Sequence, residues 1–247
     1  MSRTHIAIIS ALVVLTALAA VVWWFVFRDT SPPAPTLEGA VAGVTSSTEA
    51  PVSPELVAAT SEQPAPLRDG IEGAWVLSGD GTSYVGYRVE EELSSIGAKS
   101  AVGRTPLVEA TLTVEGDRVT SAVIDADLTG LASDDSRRDG AIRLQALETS
   151  KFPNAGFILT SPITLPDGAA AGGPIEVTGV GDLTLHGVTR SVEVRLEAQL
   201  VDGRIVVVGS VPLLFGDYGI DAPTSFAVLS IDDNGLMELL LVFEPAG

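Results

Sequence analysis

Polar and apolar residues alternate from Ser191 to Leu200, with Val192, Val194, Leu196, Ala198 and Leu200 on one side. Ser191, Glu193, Arg195, Glu197 and Gln199 fall on the other. A period of two is the pattern of a half-buried antiparallel strand. Comparable runs predict strands at Trp75–Ser78, Ser83–Leu93, Leu107–Val114, Val119–Leu128, Phe157–Thr160, Ile175–Leu185, Arg204–Val211 and Leu236–Glu244. Turn residues punctuate them at Glu115-Gly116-Asp117, His186-Gly187, Asp202-Gly203 and Asp232-Asp233-Asn234-Gly235. Some eight strands joined by short turns predict an all-β barrel or sandwich over residues 71–247. One segment leaves this rhythm. Ser133-Asp134-Asp135-Ser136 is suited to capping a short helix over Arg137–Leu147, with Ile142, Leu144 and Leu147 as its apolar contacts.

Upstream the patterns differ. Ile6–Phe27 is an uncharged apolar run of 22 residues, about 33 Å long as a helix, which matches the hydrocarbon core of a bilayer. Trp23, Trp24 and Phe25 stand at its end, where an interfacial aromatic belt sits. The expectation is a signal anchor at 6–27 after a short cytoplasmic tail, residues 1–5. The competing reading is a signal peptide cut at Ala17-Leu18-Ala19, which leaves an unusually apolar new N-terminus. Either one delivers the rest of the chain across the membrane, so the expected location is a single-pass cell-envelope protein with an extracytoplasmic C-terminal domain. Arg3 and Arg28 nearly cancel in the positive-inside rule. Residues 28–70 hold seven of the 15 prolines and show no apolar period, which predicts a flexible linker reaching about 35 Å as a coil.

Charge and composition remove several function classes. Setting aside Arg3 and Arg28, 12 basic side chains face 32 acidic ones, a surface that repels phosphate backbones. Without cysteine there is no thiolate nucleophile, disulfide or acylated-cysteine anchor. Of two histidines, His5 precedes the anchor and His186 sits in a turn, where a solvated hairpin role is expected. No G-x-S-x-G elbow occurs, and Gly179-Val180-Gly181 lies inside a strand, so it is no dinucleotide loop. The aspartate pairs Asp134-Asp135 and Asp232-Asp233 stand at cap and turn positions, where backbone roles are expected ahead of metal binding. No catalytic residue, metal or cofactor is expected, and the chain reads as a non-enzyme.

The segment Arg138-Asp139-Gly140-Ala141-Ile142-Arg143, then Leu147, then Lys151-Phe152-Pro153-Asn154-Ala155-Gly156-Phe157 resembles the signature of the YceI-like family. Gly181-Asp182-Leu183-Thr184-Leu185-His186-Gly187-Val188-Thr189-Arg190 is similar to its G-x-L-T-L-x-G-V-T-[KR] hairpin. Trp75 and Phe215-Gly216-Asp217-Tyr218-Gly219-Ile220 also fit, in order, over about residues 71–245. The chain departs at Ala141, where the family commonly has His, and at Ser100–Arg104, where its glycine-aromatic turn is blurred. The resemblance implies an eight-stranded antiparallel, lipocalin-like barrel around a tunnel for a polyisoprenoid or related lipid. Val85, Tyr87, Val89, Ile124, Phe152, Phe157, Leu183, Leu239, Leu241 and Phe243 are the expected cavity residues. Arg138 and Asp139 are expected at the rim, fixing the helix there or touching a lipid head group. The expected partner is an apolar lipid such as an isoprenoid quinone. The other function class left open is a non-catalytic envelope scaffold whose barrel is filled by side chains.

Overall fold

Alternation along each strand sends one set of side chains inward and the other outward, and pairing of successive hairpins curls the sheet until its first strand meets its last. The computed structural model describes residues 31–47, 70–93, 97–221, 228–231 and 233–247. Its strands are β1 (Gly73–Leu77), β2 (Tyr84–Leu93), β3 (Gly97–Thr105), β4 (Val108–Glu115), β5 (Arg118–Asp127), β6 (Asn154–Ser161), β7 (Ile163–Thr164), β8 (Ile175–Leu185), β9 (Val188–Val201), β10 (Arg204–Leu214), β11 (Val228–Ile231) and β12 (Asn234–Pro245). Two α-helices occur among the described residues, α1 (Leu37–Ser47) and α2 (Ser136–Ala141), the latter running on as a π-helical stretch, Ile142–Ala146.

Eight strands close a ring in the order β1-β4-β5-β6-β8-β9-β10-β12, and β12 returns to β1 through Trp75 opposite Pro245 and Leu77 opposite Phe243. Every pairing is antiparallel. The first half of β12 pairs with β2, and β2 pairs with β3 from Val85–Thr105 to Leu93–Gly97. This ribbon stands up at one end of the ring, here called the rim, with β11 beside it. The opposite end, the base, carries the β4–β5 and β9–β10 hairpins and the short β7. Between β1 and β2 the chain leaves the sheet for six residues. The Ser83 hydroxyl then accepts from the Val242 amide at 2.9 Å and the Ser78 amide donates to the Val242 carbonyl at 2.7 Å, so both backbone groups of Val242 are satisfied where β2 has left its edge.

Register decides which residues face the lumen. Along β12, Met237, Leu239, Leu241 and Phe243 belong to the interior cluster with Trp75, Leu183 and Val211. Leu240 and Val242 point outward and are buried nonetheless. They are covered, with Val206 and Val208 of β10, by Leu37, Ala40 and Val44 of α1. A helix with apolar residues at intervals of three and four has found an outward sheet face that is also apolar. Thr36 starts it by accepting from the Gly39 amide at 3.3 Å.

Here the structure corrects the sequence reading. Part of the predicted flexible linker 28–70 is a docked helix, because α1 buries its apolar stripe on the barrel instead of leaving it in water. Ser100–Arg104, taken for a blurred turn, lies within β3, paired opposite Glu90–Gly86. The ring has the expected eight strands, while β3, β7 and β11 were not predicted. The predicted anchor at 6–27 and Asp232 lie outside the described residues. No helix among the described residues is long and apolar enough to cross a membrane.

Val44 is 1% exposed, and burying such a side chain contributes about 1.5–3 kcal/mol. Val44→Asp is therefore expected to release α1 and leave the ring intact. Hydrogen exchange should show amides of 37–47 losing protection while those of β8 and β9 keep it.

Candidate functional site

The ring encloses a cavity of about 150 Å³. It exists because several inward positions carry almost no side chain: Ala122, Ala126, Ala155, Gly179 and Ala198 all line it. Two aromatics lie close against glycines of the wall. A Cβ on Gly181 would come within 2.3 Å of the Phe157 ring, and one on Gly103 within 2.3 Å of the Tyr87 ring. Each glycine gives its ring room against the wall. Among the lining residues Gln199 alone is polar, and its amide is occupied, donating to the Gly172 carbonyl at 3.0 Å. A void lined in this way excludes water, which would find no hydrogen-bond partners.

A second cavity of about 100 Å³ lies at the next level toward the rim. Val85 and Leu183 line the first, while Tyr87, Val89 and Leu185 line the second. On β2 and β8 these are successive inward positions, so the two spaces follow one another along the barrel axis. Ile142, Ala146 and Leu147 of the rim helix roof the second. The Tyr87 hydroxyl is buried there without a hydrogen bond of normal geometry, and burial pushes its pKa well above the ordinary phenol value.

Two polar clips hold the rim helix down. Asp135 caps α2, accepting from the Arg137 and Arg138 amides at 2.8 and 3.4 Å. The Arg138 guanidinium donates to both carboxylate oxygens of Glu91 on β2, each at 3.2 Å, and to Asp134 at 2.6 Å. Burial works against that charge, but the hydrogen bonds from Arg138 to Glu91 and Asp134 outweigh it and keep the guanidinium's pKa above its usual value. Burial also opposes ionisation of Asp134, yet Lys99 and Arg138 together hold its carboxyl below the ordinary range. Asp139 accepts from the Ser133 amide and hydroxyl at 2.9 and 2.6 Å. Beyond the helix, His186 takes φ 51° and Gly187 φ 75° in the tight β8–β9 turn. The imidazole lies within hydrogen-bond distance of the Tyr218 carbonyl (3.1 Å) and Glu148 (3.2 Å). Hydrogen bonds from Lys151 and then His186 keep the Glu148 carboxyl below its usual value.

Of the residues expected at the cavity, Val85, Ile124, Phe157, Leu183, Leu239, Leu241 and Phe243 line the larger space, and Tyr87 and Val89 the smaller. Phe152 lines neither. Its ring packs edge-on to His186, centroids 4.6 Å apart, beside Gly187, because the Pro153 bend precedes the start of β6. His186 is correspondingly no solvated turn residue, its side chain being 11% exposed. Arg138 and Asp139 sit at the rim, engaged with Glu91, Asp134 and Ser133. The reading from sequence passed over Ile175, Val177 and Gly179, although the alternation of β8 already set them on one face with Leu183. No cluster of metal-ligating side chains occurs among the described residues. In chemical terms the interior offers dispersion contact and exclusion of water to an apolar chain, with no charged group in the larger cavity.

Removing one partner of a buried ion pair leaves the other charge unpaired, at about 3–5 kcal/mol. Arg138→Met should therefore lower unfolding free energy in urea by about that amount, and Arg138→Met combined with Glu91→Leu should recover most of it. A carboxyl held low stabilises above its unfolded pKa, about 3.9, and loses that contribution as pH falls through the folded value. Asp134→Asn is thus expected to flatten the acid limb of the stability–pH curve below about pH 4 while leaving its slope at higher pH unchanged.

A family model described as a YceI-like domain matches residues 82–243. Among solved structures, a polyisoprenoid binding domain from Saccharophagus degradans, implicated in plant cell wall breakdown, is similar at 19% identity and TM-score 0.54, over 71% of this chain and 100% of that one. BcnA of Burkholderia cenocepacia is similar at 16% identity and TM-score 0.52, over 65% of this chain and 95% of its own. At these identities the likeness concerns the fold. No match is found among curated proteins.

Proposed function

The chain belongs to the YceI-like domain family, and from that membership and its apolar interior we propose that it holds an apolar lipid, an isoprenoid quinone or polyprenyl lipid, inside the barrel. The observation that carries this is the pair of voids stacked along the axis, the larger bounded almost wholly by hydrocarbon. Both are smaller than the roughly 300–1,000 Å³ of pockets for compact ligands, which favours a single thin chain lying lengthwise. Each buried CH₂ contributes about 0.8 kcal/mol, so ten give about 8 kcal/mol before association costs. Tail burial is then sufficient for affinity without a charged head-group anchor. Where a quinone head reached the rim-side cavity, the Tyr87 hydroxyl would be its donor. The name of the S. degradans relative, a polyisoprenoid binding domain, supports the same ligand class. In this reading residues 6–27 tether the chain to a membrane with the barrel on the non-cytoplasmic side, beside the bilayer that supplies the lipid. The side-chain-filled scaffold finds less support, since the interior is not filled.

The chain purified from membranes of its native host should release about one isoprenoid lipid per molecule on organic extraction and mass spectrometry; recovery of no lipid sinks the proposal. Ala155→Phe places a ring in the larger cavity at an overpacking cost of about 1–3 kcal/mol. That variant should lose bound lipid while its circular dichroism stays that of the parent.

A further inference from the structure

The segment ahead of α1 is bound to the rim. The Ser31 hydroxyl donates to the carbonyl of Ser100 on β3. Arg88 donates to the Pro32 carbonyl at 2.8 Å and Arg104 to the Pro33 carbonyl at 2.9 Å. Prolines lack an amide hydrogen and hold an extended backbone, which leaves these carbonyls free to accept. Both arginines are themselves fixed. Arg88 pairs with the buried Glu238 at 2.6 Å, and Arg104 lies over the Tyr84 ring, 4.3 Å from its centroid. Ser100 stands opposite Glu90, and because Arg88 faces Leu236, this is the level at which β12 begins. The strap therefore delivers its N-terminal end to the rim of the barrel.

Only three residues, Arg28 to Thr30, separate Ser31 from the end of the apolar run at Phe27. Four residue steps span at most about 14 Å. The wall is taller: β8 has 11 residues, about 36 Å along the strand and some 25–30 Å along the axis at a tilt of 35–45°. Such a connection reaches the bilayer from the rim and falls well short of it from the base. The rim also carries exposed apolar side chains, Leu144 on the helix that roofs the smaller cavity (76% exposed) and Leu214 at the end of β10 (56%). We propose that the rim docks on the bilayer surface, Leu144 foremost, so that the roofed end of the barrel faces the lipid. This rests on the membrane tether of the proposed function, and it makes the 31–47 strap an orienting device.

The cysteine-free chain suits single-site labelling. Leu144→Cys and Asp167→Cys, the second an exposed position at the base, would each carry a fluorophore in the full-length chain reconstituted into phosphatidylcholine vesicles with nitroxide-labelled lipid. The label at 144 should be quenched several-fold more than that at 167. Inserting a Gly/Ser stretch as long as the predicted linker between Phe27 and Ser31 should abolish the difference. Equal quenching in the parent, or a difference that survives the insertion, overturns the proposal. Retention through an alkaline wash is scored alongside. A chain that washes off sinks both the tether and the docking, whereas a retained chain with equal quenching sinks the docking alone.

Discussion

The architecture depends on β12 being buried on both faces. It pairs with β10 on one edge and with β1 and β2 on the other, so it is the strand that closes the ring. Its inward residues pack the lumen and its outward residues, Leu240 and Val242, lie under α1. Without the closure the sheet would have two open edges, each a row of unpaired amides and carbonyls. Without the helix it would present Val206, Val208, Leu240 and Val242 to water as one contiguous apolar patch. The buried polar member of the outer face, Glu238, is handled differently. It is buried against Arg88, which also reaches the Pro32 carbonyl, so one ion pair ties the wall to the strap.

The interior obeys a second constraint. Eight strands enclose a space that side chains can just fill, and a void persists only where the filling is withheld. Alanine and glycine at inward positions withhold it, and Phe157 and Tyr87 lie close against glycines of the wall. Such a barrel forgoes the dispersion contacts that a filled core would make. Closure of the ring, the buried Trp75, whose indole donates to the Ile71 carbonyl at 2.8 Å, and the Arg138–Glu91 clip offset that loss around the void. The cavity and the devices that hold the rim are thus two sides of one arrangement.

Much of the wall was legible from period two alone, since Ile175–Leu185 and Arg204–Val211 were placed by alternation and by the turns beside them. The elements missed had weak or masked signals. Gly97–Thr105 is short of β-branched residues, with only Val102 and Thr105, so its alternation is weak even though β2, its partner, ends just upstream. Leu37–Ser47 sits in a proline-rich region, and its two glycines hide its stripe. One signal did point to it. Leu239 to Phe243 is continuously apolar where a half-buried strand should alternate, and such runs belong to strands covered on both faces.

By itself the sequence determined what local chemistry can dictate. Alternation set which side chains of each strand share a face, Gly and Asp set the turns, and Asp135 set the start of the rim helix. Of the ten residues expected at the cavity nine line the two voids, and the shared faces of Val85, Tyr87 and Val89 and of Leu239, Leu241 and Phe243 follow from parity once the strand is known. Tertiary structure alone decided the rest. Whether an inward face is filled or void depends on residues from eight strands meeting at one level. Phe152 turned to His186, and Arg138 to Glu91, because partners far apart in sequence arrive together only when the strands have assembled. The strap is the clearest case. Eleven weakly patterned residues become a helix only because the barrel offers an apolar outer face, and no window of the chain contains both.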